Sequence, residues 1–416
     1  MKKLSKYSLG MGDRFAHQAD WQLKVVREAE KAGHEITPVW NKSNREHTTI
    51  GSEPRDVRKA AEQAIKKAGW TKPWFIDADH INLETVDRFI NSSDFFTIDV
   101  AAYIGKESDK AREDAFVDGM KKHLGQLQAP GFDTFIQATE KQARTFAKKY
   151  LHAAYMAGET YKQIENSKGA GNFITEVSMD EVAEPQTPVE LFFILAMLAY
   201  YNVPVQTIAP KFTGRFNKGV DYQGDVAAFR EEYEANLMAI DLAVDKFGLP
   251  KELKPSIHSG SDKFSIYPVI KELSKKHDKG FHLKTAGTTW LEEIIGLALA
   301  GGEALAFVKN LYSRALTNVS QLCAPYADVI DIDESQLPSA MEVKGLTGEE
   351  FANALRHIPD HPQYNPHLRQ LVHVGYKLAA EEINAFNALL ERHAEITGSC
   401  VFENLYERHI RRLLVD

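Results

Sequence analysis

Short apolar runs, rich in β-branched and aromatic residues, recur in the part of the chain before residue 286, and each run ends in polar residues or glycine. Most of them are separated by segments in which apolar positions recur every three to four residues, as in an amphipathic helix. This alternation predicts parallel strands joined by right-handed helical crossovers. The predicted strands are Tyr7–Met11, Glu35–Trp40, Trp74–Asp77, Phe95–Asp99, Asn172–Glu176, Val205–Ala209, Pro255–His258 and Phe281–Lys284.

The helical segments between the strands carry recognisable start and stop signals. Residues 17–32, 55–68 and 226–247 are each followed by a glycine, and Pro188 begins a nearly all-apolar helix. Eight strand–helix units are typical of a (β/α)8 barrel, an α/β fold, although a doubly wound sheet has the same alternation.

Two segments do not follow the alternation. The stretch at about 106–168 is rich in lysine and alanine and predicts a helical insertion between the fourth and fifth strands. Residues 303–416 predict a helical extension. We therefore expect a barrel domain over 1–302, with its insertion, and a helical C-terminal extension over 303–416 that packs on the barrel.

The composition disfavours a nucleic-acid-binding, a membrane-spanning or a disulfide-rich protein. Lysine plus arginine number 50 against 58 for aspartate plus glutamate, and this net charge of −8 disfavours a nucleic-acid partner. No apolar run approaches the roughly 20 residues that span a bilayer. The only two cysteines, Cys323 and Cys400, cannot build a disulfide framework. We expect a cytoplasmic protein that acts on a small molecule, and the apolar C-terminal helices are compatible with a homo-oligomer.

Acids and imidazoles lie at the ends of the predicted strands, where (β/α)8 barrels place their reactive groups. Asp79 and His80 end the third strand, Glu176 the fifth, His258 the seventh, and His282 lies in the eighth. Imidazoles and carboxylates at one barrel mouth suit a divalent ion such as zinc, manganese, nickel, cobalt or iron. Each of these residues could instead have a purely structural role. A strand-end aspartate, for example, often caps the next helix.

Basic and polar residues at the same ends suit an anionic or polyhydroxylated substrate, although surface lysines and arginines are usually only solvated. The candidates for substrate binding are Lys42, Arg45, Lys211, Arg215, Lys218, Ser259, Asp262, His282 and Lys284. Competing motifs are weak. The Gly169-Ala-Gly171 stretch precedes a strand, whereas a dinucleotide fingerprint follows one.

Six segments of the chain, in order, resemble the tagaturonate epimerase family of hexuronate catabolism. They are Leu9–Phe15, Thr37–Glu46, Phe75–Ile81, Thr175–Glu181, Ala209–Asp221 and His258–Pro268. The resemblance extends from near the N-terminus to at least Thr288. It implies a metal-dependent enzyme that inverts carbon four of a ketohexuronate and so interconverts tagaturonate and fructuronate. Relatives of this family are similar enough to act on the neutral ketohexoses fructose and tagatose.

The resemblance also implies roles for individual residues. Asp79 is the implied proton acceptor beside the metal ligand His80, with His258 as a second ligand and Asp225 as the third. Glu176 is the implied complementary acid. If Asp225 only caps the helix that follows it, His282 or Glu176 completes the ligand set. Because Asp79 and His80 are adjacent, they can share one site only at an irregular strand end.

The chemistry of the implied reaction limits the mechanism. Carbon four of a 2-ketose is β to the carbonyl, so enolisation cannot invert it. A transient oxidation by a bound nicotinamide and a retro-aldol cleavage between carbons three and four both can. The absence of a convincing nicotinamide fingerprint favours the retro-aldol route, with the metal as Lewis acid, and leaves a metal-assisted hydride shift as the alternative route. The alternatives are a metal-dependent sugar isomerase or aldolase, or a sugar-binding barrel without catalysis.

Overall fold

The computed structural model describes residues 2–285 and 287–415, and eight of its strands form a closed parallel barrel. The strands are β1 (Tyr7–Gly12), β2 (Ile36–Ser43), β3 (Phe75–Ile81), β4 (Phe95–Asp99), β5 (Gly125–Leu127), β6 (Ile136–Ala138), β7 (Ile174–Ser178), β8 (Thr207–Ala209), β9 (Lys254–His258) and β10 (Phe281–Lys284). The barrel order is β1-β10-β9-β8-β7-β4-β3-β2. All eight predicted strands lie in this barrel, so the predicted fold is confirmed and the doubly wound alternative is wrong.

Helices surround the barrel, and those that the sequence predicts at 17–32, at 55–68, from Pro188 onward and at 226–247 are among them. They are α1 (Ala19–Lys31), α2 (Asn44–Ile50), α3 (Pro54–Ala68), α4 (Lys110–Met120), α5 (Glu140–Lys168), α6 (Pro188–Tyr200), α7 (Val226–Phe247), α8 (Tyr267–Lys276) and α9 (Thr288–Ala300). The helix α6 is apolar because it lies between α5 and α7 and buries all of Leu191 to Leu198. Gly69 and Gly248 end α3 and α7 with φ of 61° and 68°, a left-handed conformation that glycine adopts without strain.

The insertion between β4 and β7 is more varied than predicted. It contains α4 and the long helix α5, but β5 and β6 form an antiparallel hairpin between them. Each of these strands has only three residues, too few for an alternating pattern to show. The prediction of a mostly helical insertion did not include this hairpin.

The interior of the barrel is apolar at its amino end and polar at its carboxyl end. Val39, Phe75, Phe95 and Ile174 form a buried apolar cluster with Leu4. Side chains two residues further along each strand point to the same interior face. These residues are polar, and they are Asn41, Asp77, Thr97 and Glu176. The barrel thus presents buried polar groups toward the end where chemistry is expected.

A helical C-terminal region follows the barrel. Its helices are α10 (Gly302–Thr317), α11 (Val319–Cys323), α12 (Ala340–Gly345), α13 (Gly348–Leu355), α14 (Pro366–Val374), α15 (Tyr376–Glu381), α16 (Ile383–Arg392) and α17 (Ala394–Phe402), continued by a π-helical segment, Glu403–Val415. Most of them share a second apolar core with α9, and the last segment packs on α1 and α8. Within the described residues, no helix is both long and apolar enough to span a membrane.

Candidate active site

The carboxyl end of β3 is irregular, and this irregularity brings Asp79 and His80 to one place. The pairing of β3 with β4 shifts register between Ala78 and Ile81, and His80 has a φ of 50°. Neighbours in a regular strand point to opposite faces, but here the Nδ1 atom of His80 lies 2.9 Å from the Oδ1 atom of Asp79. The expected irregular strand end is confirmed.

The end of β7 supplies the carboxylate that completes a cluster with two histidines. Glu176 lies in this strand, and Asp180 comes four residues later. The Oδ1 atom of Asp180 lies 3.3 Å from Nε2 of His80, and its Oδ2 atom lies 3.1 Å from Nδ1 of His258. Donor atoms of these three residues all lie within 4.8 Å of one another. We call His80, Asp180 and His258 the metal cluster.

The donors of the metal cluster fit a divalent cation. The buried Nδ1 atom of His258 lies 3.1 Å from Oδ2 of Asp180 but does not meet hydrogen-bond geometry with it, so a cation between the two atoms would satisfy both. The other ring nitrogen of each histidine contacts a carboxylate, since Nδ1 of His80 contacts Asp79 and Nε2 of His258 lies 2.9 Å from Glu176. Histidine ligands of metals are oriented in this way in many proteins. Two imidazoles and a carboxylate suit zinc and similar ions.

The predicted third ligand, Asp225, lies elsewhere. Its carboxylate accepts hydrogen bonds from the backbone N–H groups of Ala227 (2.8 Å) and Ala228 (3.3 Å), so it caps the start of α7. The structure therefore places Asp180, and not Asp225, beside the two histidines. A signal for Asp180 was present, because it continues the alternate positions Glu176 and Ser178 at the end of β7.

Lys284 lies at the centre of a group of buried carboxylates. Its Nζ atom is 2.7 Å from Asp77, 2.8 Å from Asp79 and 2.9 Å from Glu176. Burial opposes the charge of Lys284, but the three carboxylates raise its pKa well above the ordinary value. The ammonium group in turn holds the pKa of Asp79 and of Glu176 well below the usual range, against the effect of burial. The structure therefore makes Lys284 an internal counter-ion, and substrate binding by it stays a prediction.

The pKa of one carboxylate of this group, Asp77, is shifted in the opposite direction. Burial and the neighbouring charges of Asp79 and Glu176 raise the pKa of Asp77 to about 7, although Lys284 opposes the shift. Asp77 is not among the predicted site residues, because strand alternation alone does not show that three carboxylates share one cation.

Two other predicted substrate-binding residues, His282 and Ser259, are buried inside the protein. His282 is fully buried, its Nδ1 atom lies 2.9 Å from the hydroxyl of Ser8, and burial lowers its pKa to about 3, so the ring is neutral. Ser259 is also fully buried and donates its hydroxyl to the carbonyl of Lys284. Neither side chain is exposed at the barrel mouth in this structure.

Asp262, a further predicted substrate contact, belongs to a separate buried network. Its carboxylate accepts a hydrogen bond from Arg369 (2.8 Å) and lies 3.2 Å from Nδ1 of His357. Both partners come from the C-terminal region, and Asp262 has no exposed surface. It therefore joins the β9 loop to the C-terminal region, and substrate contact by Asp262 stays a prediction.

The predicted basic residues divide into two sets. Lys42 donates to the hydroxyl of Ser52 (2.7 Å), Lys211 donates to two carbonyls of the β7–α6 loop, and Arg215 forms an exposed ion pair with Asp331 at 3.3 Å. These three side chains already have partners within the protein.

Arg45 and Lys218 form the other set. Both lie over the ring of Tyr326, which belongs to the C-terminal region, and Arg45 is 3.8 Å from Glu181, the residue after Asp180. The structure thus brings two of the predicted cations together, and Arg45 contacts the residue that follows Asp180.

The fold and the site together define a (β/α)8-barrel protein with a histidine–carboxylate cluster suited to a cation at its carboxyl end. The chain belongs to the tagaturonate epimerase family (UxaE), whose model matches residues 1–412. Members of this family are epimerases, and the chain is accordingly an isomerase. The resemblance found in the sequence is confirmed.

Individual relatives agree with this assignment. The tagaturonate/fructuronate epimerase of Thermotoga maritima is 26% identical over 420 residues, which cover 97% of this chain and 79% of that protein. A glycerol-bound crystal structure of the fructuronate-tagaturonate epimerase from Cohnella laeviribosi has a TM-score of 0.81 at 23% identity, over 99% of this chain and 82% of that chain. The native crystal structure of the Cohnella enzyme gives a TM-score of 0.79 at 22% identity. The structural likeness supports the fold.

Proposed function

We propose that this protein interconverts tagaturonate and fructuronate by inverting carbon four, and that it does so with a divalent cation held by His80, Asp180 and His258. The observation that carries the metal dependence is the convergence of these three donors within 4.8 Å at the barrel mouth. The neutral ketohexoses fructose and tagatose are proposed as weaker substrates, because they present the same first four carbons without the carboxylate.

The proposed route is a retro-aldol cleavage followed by re-addition. A base removes the proton of the carbon-four hydroxyl, the bond between carbons three and four breaks, and an aldehyde and an enediolate result. The aldehyde rotates and the bond forms again on its other face, after which the oxygen recovers its proton. A bound cation would supply Lewis-acid stabilisation of the negative charge that develops on the ketone side.

The charges around the site keep Asp79 ionised, as a proton acceptor must be, although a lowered pKa also makes a carboxylate a weaker base. Burial raises the pKa of Asp79, and the neighbouring positive charges, that of Lys284 foremost, lower it. The combined effect of these charges is larger, so the pKa lies well below its usual range and the carboxylate is ionised. Asp79 lies at the strand end next to His80, where a substrate bound at the metal cluster would be in reach. Glu176 has no exposed surface, so we assign it the orientation of His258 in place of the acid role that the resemblance implies.

The metal assignment is tested by comparing Asp180→Asn with Asp225→Asn, two substitutions of the same kind. We expect D180N to lose bound metal and at least about 100-fold of its turnover of tagaturonate, since a ligand is changed. D225N should keep both, because asparagine also caps helices well. Metal content is measured by elemental analysis and turnover by chromatography of the products.

Chelation and reloading complete this experiment. Activity should disappear in EDTA and return with a divalent transition ion. Full activity after chelation, or a D180N variant that keeps its metal, would contradict the metal dependence. The assays are run in deuterium oxide, because deuterium appearing at carbon three during turnover would contradict a clean retro-aldol route.

A further inference from the structure

Cationic side chains surround the ring of Tyr326, a buried residue of the C-terminal region. The guanidinium carbon of Arg45 lies 5.2 Å from the centre of the ring, the Nζ atom of Lys218 lies at 5.5 Å, and that of Lys377 at 5.8 Å. The hydroxyl of Tyr326 lies 3.1 Å from that of Tyr376, which fixes the ring in place. Two elements of the barrel mouth and the C-terminal region therefore meet at one positively charged point.

Two acids, Glu181 and Glu46, act on Arg45 and Lys218 from a distance, and Glu46 is already paired with Arg14 at 2.7 Å. The contact of Arg45 with Glu181 is long, at 3.8 Å. The side chain of Lys218 is half-buried, and within residues 2–285 and 287–415 no carboxylate lies within ion-pair distance of it. Burial and the charge of Arg45 lower the pKa of Lys218. A half-buried ammonium group without a counter-ion is suited to bind an anion from outside the protein.

The loop that carries Lys218 is fixed before any ligand binds. The backbone N–H of Lys218 donates to the carbonyl of Val329 at 2.7 Å, again in the C-terminal region. The buried ammonium group of Lys263 donates to the carbonyls of Asn217 (3.0 Å) and Val220 (2.8 Å), on either side of Lys218. A side chain held in this way loses little conformational entropy when it binds a ligand.

We infer that Lys218, Arg45 and Tyr326 form a subsite that binds the carboxylate group of the sugar acid. The inference rests on the proposed function, since it adds the residues that would select a uronate over a neutral ketohexose. It also makes the C-terminal region part of the substrate site. In the retro-aldol route the carboxylate belongs to the aldehyde fragment, so this subsite would hold that fragment while carbon four rotates.

The subsite is tested with Lys218→Met, Lys218→Arg and a matched control, Lys24→Met. Lys24 is exposed on α1 and also lies over aromatic rings, those of Trp21 and Phe402, but away from the barrel mouth. We expect K218M to raise the KM for tagaturonate about 10-fold to 100-fold, the usual effect of losing a hydrogen bond to a charged group, with kcat changed by less than about 3-fold. K218R should recover most of the affinity, and K24M should match the parent protein.

The role of Tyr326 is tested by Tyr326→Phe and Tyr326→Leu. The first keeps the ring under the cations and should leave KM within about 3-fold, whereas the second removes the ring and should raise KM by about 10-fold. Unchanged KM values in K218M and in Arg45→Met would overturn the inference.

A binding measurement separates this inference from the proposed function. Calorimetric titration of the metal-loaded protein uses D-gluconate, a sugar acid that is not a ketose, and its neutral counterpart D-glucitol. The parent should prefer gluconate, and K218M should lose about 10-fold of that preference. If the parent has no epimerase activity but shows this preference, the proposed function fails and the subsite stands. If the parent turns over tagaturonate but shows no preference that depends on Lys218, the subsite fails alone.

Discussion

Two lysines inside the barrel show how far a buried charge depends on its neighbours. Lys284 faces three carboxylates within 3 Å, and its pKa rises well above the ordinary value. Lys254, at the amino end of β9, donates hydrogen bonds to the carbonyls of Ser5 (2.7 Å) and Lys6 (3.1 Å), and it forms no ion pair with any described residue. Burial lowers the pKa of Lys254 to about 7. The folded state is therefore destabilised by the charge of Lys254 and stabilised by that of Lys284.

The pKa of Lys254 predicts a pH dependence of stability. Below pH 7 this lysine is charged in both the folded and unfolded states, and the full cost of burial is present. Between about pH 7 and 10.5 the folded protein loses the proton while the unfolded chain keeps it, so the free energy of unfolding rises with pH by up to about 1.4 kcal/mol per unit.

The substitution Lys254→Met removes this titration. Urea unfolding at pH 7, 8 and 9 should show the parent gaining stability relative to the variant as pH rises. Comparing the two proteins cancels the contributions of the other groups. A constant difference across this range would show that Lys254 titrates normally.

The sequence predicts some residues of the site and misses others. Asp79, Glu176 and His258 follow from their places at strand ends, because the barrel topology fixes where those ends meet. Asp180 continues the alternate positions Glu176 and Ser178, but this signal is too weak to rank it above Asp225, since both residues come after a strand and before a helix. Only the folded loops show that Asp225 bonds to its own helix and Asp180 reaches the two histidines.

At the scale of elements, α9 joins the barrel to the C-terminal region through a close contact with α17. Gly296 allows this approach, because a Cβ atom there would lie 2.5 Å from the Cα atom of Thr397 and 2.9 Å from its Cγ2 atom. A backbone atom cannot move aside as a flexible side chain can. The two helices can pack at this distance only when position 296 has no side chain.

The substitution Gly296→Ala should therefore destabilise the protein by about 1–3 kcal/mol through overpacking. Its control is Gly119→Ala near the end of α4, where an added Cβ atom would meet nothing within 4 Å. That change should be neutral or stabilising by up to about 1 kcal/mol, since alanine favours helix. The free energy of unfolding of the two variants checks the pair. Equal effects would contradict the steric argument.

The elements themselves differ in how well the sequence predicts them. The strands of the barrel can be recognised in the sequence as apolar runs, because both of their faces are buried. The helices α3 and α7 end at glycines, as expected. The hairpin of β5 and β6 is not visible, because three-residue strands are shorter than one period of any pattern that the sequence could show.

At the scale of the whole molecule, one buried network connects the barrel to the chain that follows it. Asp262 accepts a hydrogen bond from Arg369 of α14, and it lies 3.4 Å from Nδ2 of Asn404 and 3.5 Å from Nε2 of His409 in the last helical segment. Arg369 also donates to the carbonyl of Gly219, next to Lys218. The network that fastens the C-terminal region thus also fixes the loop of the proposed carboxylate subsite.

The substitution Arg369→Met should therefore affect stability and substrate binding together. It leaves Asp262 as a fully buried carboxylate without its main counter-ion, which costs about 3–5 kcal/mol. The control is Arg392→Met, which breaks the exposed pair with Glu303 and should cost less than about 1 kcal/mol. At a temperature where R369M is still folded, its KM for tagaturonate should rise, because the carbonyl of Gly219 loses its donor and Lys218 is held less firmly. A destabilised R369M with an unchanged KM would show that the network supports the fold without positioning the subsite.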